Sequence, residues 1–169
     1  MAPQVGDIVI GLKARVVKEN SFHWVIGVCL SHGYAKFHAT NSASDLWRFQ
    51  SEITGSEEEF KFLTAPDLAA IIKIGTLTRS GKTVEDIQSL FQHIPLATNR
   101  ANGGRRVKFD CVMWLRMALQ ALHLEGIINC PDAKETINEC QAFGEPMYET
   151  VVQTNSSGNW TFYRAVTSY

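Results

Sequence analysis

The order in which two hydrophobic periodicities follow one another constrains this fold more than any single motif. Short β-branched and aromatic runs come first, and helical spacing takes over later. Asp7–Lys18, DIVIGLKARVVK, reads as a first strand. Phe22–Leu30, FHWVIGVCL, is an apolar run bounded by turn residues and reads as a buried strand. Ser31-His32-Gly33 is a hairpin turn, from which Tyr34–Thr40, YAKFHAT, pairs back. Asp45–Ile53 and Ile71–Thr76 add strands, Phe60–Leu63 a shorter one, and Gly55–Glu59 an exposed acidic turn. The period then changes. Thr83–His93 carries Val84, Ile87, Leu90 and Phe91 on one stripe, with Pro95 beyond its end. A polar loop, Ala97–Arg106, leads to a helix within Lys108–Leu124. A third helix runs from Asp132 to about Gln141, where Gly144-Glu145-Pro146 predicts a break and a second segment from Met147. Trp160–Val166 reads as a last strand. Strands before helices predict an α+β domain, an antiparallel sheet from the N-terminal half packed against the helix carrying Cys111. The 169 residues fit one domain, with a core over 7–152 and a C-terminal extension over 153–169.

That helix holds the first chemical suggestion. Cys111, Trp114, Leu115, Ala118, Leu119 and Leu122 follow the spacing of one buried helical face. Asp110 is placed as N-cap and Gly126 as C-terminal stop, so Cys111 opens the first turn. Free N–H groups and the positive end of the helix dipole lower a thiol pKa there, while the neighbouring Asp110 carboxylate raises it. Arg100, Arg105, Arg106 and Lys108 place positive charge before the helix. A cysteine on an apolar face is also an ordinary packing residue.

Composition narrows the classes. A net charge of −1 gives no electrostatic case for nucleic acid. The N-terminus has neither the charged nor the long apolar region of a signal peptide, and no run approaches membrane-spanning length. The four cysteines form no CxxC pair, so no metal site, cofactor or disulfide framework is expected, and the setting is read as cytoplasmic.

A thiol nucleophile needs an imidazole, and the imidazole a third group to hold it. Of five histidines, His32, His93 and His123 fall in a turn or near helix ends. His23 and His38 instead lie inside apolar strands. With a two-residue turn at His32-Gly33, His38 shares a face with His23 but is displaced along the strand; a three-residue turn puts Asn41 opposite His23. Either can orient an imidazole, His38 ranking before Asn41.

His23-Trp24 opening an early strand, His38 one strand later and Cys111 opening a late helix resemble the circularly permuted papain-like proteins. In that group the histidine precedes the cysteine, as in the lecithin–retinol acyltransferase and phospholipase/acyltransferase families. Asp110-Cys111-Val112-Met113-Trp114 is similar to the Asn-Cys-x-x-Trp helix start of small fungal proteins with the same order. The resemblance covers about residues 7–128. Those acyltransferase families carry Asn-Cys-Glu-His-Phe where this chain has Val112-Met113-Trp114 after Cys111, and no C-terminal membrane anchor is expected from this sequence. The resemblance therefore implies the Cys–His apparatus rather than a lipid substrate. It implies that His23 deprotonates Cys111, that His38 holds the imidazole, and that helix-start N–H groups stabilise the oxyanion of an acyl-thioester pathway. A small-molecule acyl donor would pass its acyl group to water, a hydroxyl or an amine, the last giving amide-bond formation in small-molecule biosynthesis. Asp110, Trp24 and Trp114 become orienting or pocket residues.

Two other readings stand beside this one. The same fold could serve as a catalytically silent binding module, with Trp24, Trp47, Trp114 and Trp160 lining its pocket. Ser80-Gly81-Lys82-Thr83 ends like a phosphate-binding loop. However, Gly75 stands one residue too early and Thr76 holds the required glycine position, so an ordinary turn is expected.

Overall fold

The computed structural model describes residues 3–15, 21–41, 46–53, 65–96, 109–154 and 161–165. Strands β1 (Asp7–Ala14), β2 (Phe22–Leu30), β3 (Gly33–Thr40), β4 (Arg48–Ile53) and β5 (Leu68–Thr76) come first. A 3-10 turn at Leu77–Arg79, helices α1 (Val84–Gln92), α2 (Cys111–Leu124) and α3 (Ala133–Thr154), and strand β6 (Thr161–Arg164) follow. The fold class is α+β. All six strands form one sheet in the order β4-β3-β2-β1-β5-β6. The five N-terminal strands pair antiparallel, and β6 returns to lie parallel to β5.

Pleating sorts side chains between two faces. Phe22, Trp24, Ile26 and Val28 of β2 join Ile8, Ile10 and Leu12 of β1 in the large core cluster that also contains the buried stripes of the three helices. Val9, Val25, Cys29, Tyr34, Leu68 and Ile71 form a smaller cluster on the other face. The buried residues of α2 are the six read from its periodicity. Burying a side chain such as Leu115 or Leu119 contributes about 1.5–3 kcal/mol.

Local chemistry fixes the helix starts. Thr83 and Asp86 exchange hydrogen bonds in a capping box at α1. The Asp110 carboxylate accepts the Met113 N–H at 2.8 Å at α2. The β2–β3 turn departs from both expected registers. Leu30 pairs with Gly33, so the two loop residues are Ser31 and His32, and Gly33 takes the left-handed φ of +100°.

The expected break in the third helix does not occur. α3 runs 22 residues through Pro146 because its buried stripe is uninterrupted. Ala133, Ile137, Cys140, Gly144, Tyr148 and Val151 face the sheet at helical spacing, while Pro146 is exposed. Packing of a continuous face outweighs one lost hydrogen bond. Gly144 permits the approach, since a Cβ there would lie 2.6 Å from Leu12 Cδ1 and 3.0 Å from Phe22 Cζ.

The expected strand Phe60–Leu63, the acidic turn at 55–59, Trp160 and the basic residues Arg100, Arg105, Arg106 and Lys108 lie outside the described residues.

Candidate active site

At the end of the sheet where β1 stops and β2 begins, two imidazoles meet. His23 Nε2 and His38 Nδ1 are 2.7 Å apart, with ring centroids at 4.9 Å and planes at 78°. The β2–β3 ladder reaches only Ile26↔Phe37, although both strands continue. Continuing the register places Thr40 opposite His23 and His38 two residues away, a diagonal pair on one face. Asn41, the substitute orienting group, lies exposed just past β3. His38 is the residue bonded to His23.

Arg15 is the neighbour that sequence reading missed. Its Nη2 lies 3.3 Å from His23 Nδ1. A guanidinium only donates, so Nδ1 accepts and the His23 proton sits on Nε2, directed at His38 Nδ1. His38 then carries its own proton on Nε2. This chain of donors fixes both tautomers. Arg15 is held by its backbone: its N–H donates to the Ser21 carbonyl at 2.9 Å, and the Tyr148 hydroxyl donates to its carbonyl at 2.5 Å. The available signal was the pairing of β1 with β2. Lys13 lies opposite His23, and alternation carries Arg15 onto the same face.

Both imidazoles are held neutral. Burial lowers His23 to about 3, assisted by its proximity to His38, Arg15, Lys13 and Lys36. Burial also lowers His38 to about 4, with Lys36 and Lys13 acting in the same direction and Glu52 opposing. Lys13 is paired to Asp67 at 3.1 Å and Lys36 to Glu52, which moderates both cations.

Cys111 opens α2 as expected, but only 2% exposed. Between the opposing effects of the helix start and Asp110, burial decides the direction of its pKa. Burial pushes the thiol up, and this outweighs the Arg15 charge and the backbone N–H groups of Trp24 and Cys111 that favour thiolate; Asp110 adds to the rise. The thiol therefore meets β2 at the Trp24 backbone, one residue from His23. The two approach from different sides. Cys111 belongs to the helix-side cluster, whereas parity puts His23 and His38 on the opposite face. Arg15, just beyond the end of β1, is the residue whose charge reaches both.

The remaining candidates have structural positions. Asp110 is the cap of α2, with its carboxylate on Met113. Trp24 is 2% exposed within the core. Trp114 is fully buried, stacked on Phe49 at 6.0 Å and edge-on to Phe91 at 5.4 Å. Its indole Nε1 has no hydrogen-bond partner among the described residues. Gly81-Lys82-Thr83 is a turn and helix cap. The Lys82 N–H donates to Ser80 Oγ, the Thr83 N–H donates to Asp86, and the Lys82 ammonium pairs with Glu125 at 3.1 Å. The amides a phosphate loop would use are taken. Among the described residues no group of three or more His, Cys, Asp or Glu could hold a metal ion, and no helix is long and apolar enough to cross a membrane.

Comparisons with protein-family models, curated proteins and solved structures return no match.

Proposed function

We propose that this protein carries out thiol-dependent acyl transfer or amide or ester hydrolysis on a permuted papain-like fold, with Cys111 as nucleophile, His23 as base and His38 as the group that orients it. The observation that carries this reading is the polarised His38–His23 pair. Nε2 of His23 is engaged by His38, so its basic nitrogen is Nδ1, which meets Arg15, and the Arg15 charge also acts on Cys111. With both imidazoles neutral and the thiol raised, the resting state is thiol and imidazole rather than an ion pair. In the proposed step the His23 ring swings round the end of β1 to the helix side, the thiol proton passes to its Nδ1 as sulfur bonds to the acyl carbon, and the leaving group departs with that proton. Water, a hydroxyl or an amine then attacks the thioester and restores the thiol. Arg15 must leave Nδ1 for this to happen, so Arg15 gates the base.

A second reading has its own support. A thiol 2% exposed, raised in pKa and facing the helix side of the sheet also suits a binding module on the same scaffold that lacks the chemistry.

One experiment separates them. The protein is incubated with p-nitrophenyl acetate, and acetylation is located by intact mass and peptide mapping. Catalytic competence predicts a hydroxylamine-labile acetyl group on Cys111, formed about 10²-fold more slowly in His23→Ala. Equal labelling of wild type and His23→Ala, or none at Cys111, would establish the silent module.

A further inference from the structure

Arg15 stands where β1 has ended, since the β1–β2 ladder closes at Ala14↔Phe22. The residue is exposed, yet its guanidinium is placed on His23 Nδ1 at 3.3 Å. A long side chain in water keeps one small target only if the backbone that carries it is fixed, because its rotamer freedom opposes any single contact. Two hydrogen bonds fix that backbone. The Arg15 N–H donates to the Ser21 carbonyl at 2.9 Å and holds the peptide before its Cα. The Arg15 carbonyl accepts from the Tyr148 hydroxyl at 2.5 Å, which holds the peptide after it. With both peptide planes held, the Cα–Cβ bond of Arg15 has one direction. The first bond is local to the β1–β2 connection; the second comes from a helix 133 residues away along the chain.

α3 is built to deliver that hydroxyl. Tyr148 lies on its buried stripe at 5% exposure, with the ring edge-on to Phe22, centroids 5.7 Å apart and planes at 88°. Phe22 precedes His23 in β2 and lies opposite Ala14, so the tyrosine ring rests on the strand ends that carry His23 and Arg15. Gly144, one turn earlier, lets the helix close on Leu12 and Phe22. A phenylalanine would pack in the same space, so what the hydroxyl adds is polar.

We propose that Tyr148 is a positioning residue: through the Arg15 carbonyl it sets the guanidinium on His23 Nδ1, and α3 thereby regulates whether the base of the proposed reaction is occupied or free. This rests on the reading of His23 as that base and of Arg15 as its gate. Without the hydroxyl, the Arg15 carbonyl turns to water, the guanidinium spends less time on Nδ1, and His23 takes a proton more readily. The charged and titratable groups facing His23 are Arg15, Lys13 of β1, and His38 and Lys36 of β3, with Lys13 paired to Asp67 and Lys36 to Glu52. Arg15 has to be singled out among them.

The test is side-chain ¹⁵N spectroscopy of the histidines in wild type, Tyr148→Phe, Arg15→Gln and the double variant, with urea midpoints measured alongside. Tyr148→Phe retains the ring against Phe22 and therefore the fold. At pH 7 its His23 Nδ1 signal should move downfield as the hydrogen bond is lost, and its His23 pKa should rise, both in the direction seen in Arg15→Gln. Combining the two substitutions should add nothing to Arg15→Gln, because both act through one guanidinium. Placing 4-aminophenylalanine at position 148, which keeps a donor there, should return His23 toward its wild-type signal. A tyrosine that only packs would lower the urea midpoint and leave His23 where it is. An unmoved His23 in Tyr148→Phe, or a change that adds in full to that of Arg15→Gln, overturns the assignment. These readouts involve no acylation, so failure to label Cys111 would end the hydrolase reading while the His23 signals still decide the role of Tyr148.

Discussion

His23 sits between two neighbours with opposite demands. Arg15 occupies Nδ1 and His38 receives the proton of Nε2, so the ring is neutral and fixed in orientation. Removing Arg15 should free Nδ1 and remove one of the charges that lower His23. Arg15→Gln is expected to raise the His23 pKa above its value of about 3. The same substitution should raise Cys111 further, because Arg15 is the charge that most favours its thiolate. Histidine side-chain ¹⁵N titration checks the first shift and the pH dependence of alkylation the second. Upward movement of both groups is the signature of a shared guanidinium; an unmoved thiol would mean that Arg15 serves His23 alone. The same spectra should show Nε2-protonated tautomers at both His23 and His38 in wild type.

α3 carries two features of opposite sign. Gly144 lies where Leu12 and Phe22 leave no space for a side chain. Gly144→Val should therefore lower stability by about 1–3 kcal/mol through overpacking, measured by urea unfolding. Pro146 is exposed within the same helix and supplies no N–H. Pro146→Ala restores that donor at a position with good helix propensity, offset by a more flexible unfolded chain. A net gain of about 1–2 kcal/mol is expected. A loss would mean that α3 bends at Pro146 to follow the sheet. The effect of Gly144 on the site runs through Tyr148, one turn along, which packs edge-on to Phe22 at 5.7 Å and holds the Arg15 carbonyl.

At the scale of the molecule, the buried imidazoles couple folding to pH. Unfolded histidines bind protons below their ordinary value of 6.5, whereas the folded protein keeps His38 and His23 neutral down to about 4 and about 3. The unfolded state then binds more protons, so stability present above pH 6.5 is lost as pH falls from 6.5 toward those lower values. Each imidazole should cost about 2 kcal/mol between pH 7 and pH 5. Urea midpoints at pH 7, 6 and 5 should decline in wild type and flatten in His23→Gln/His38→Gln. Parallel declines would place the acid sensitivity elsewhere.

Periodicity is local, and it was sufficient for the local structure. β2 falls at Phe22–Leu30 as read, and the six buried residues of α2 and its Asp110 cap follow from spacing and capping chemistry alone. The sequence also singled out His23, His38 and Cys111, because residue types unusual for their local setting are visible without coordinates. Three things required the tertiary structure. The β2–β3 turn is one residue earlier than the two-residue turn considered and one residue shorter than the three-residue one, since strand pairing is decided by which side chains both faces can bury. α3 passes through Pro146 because the sheet offers a surface to its whole stripe, which no residue within the helix reveals. The thiol is raised rather than lowered because depth of burial is a property of everything packed around Cys111, and here desolvation outweighs the dipole of the helix that carries it.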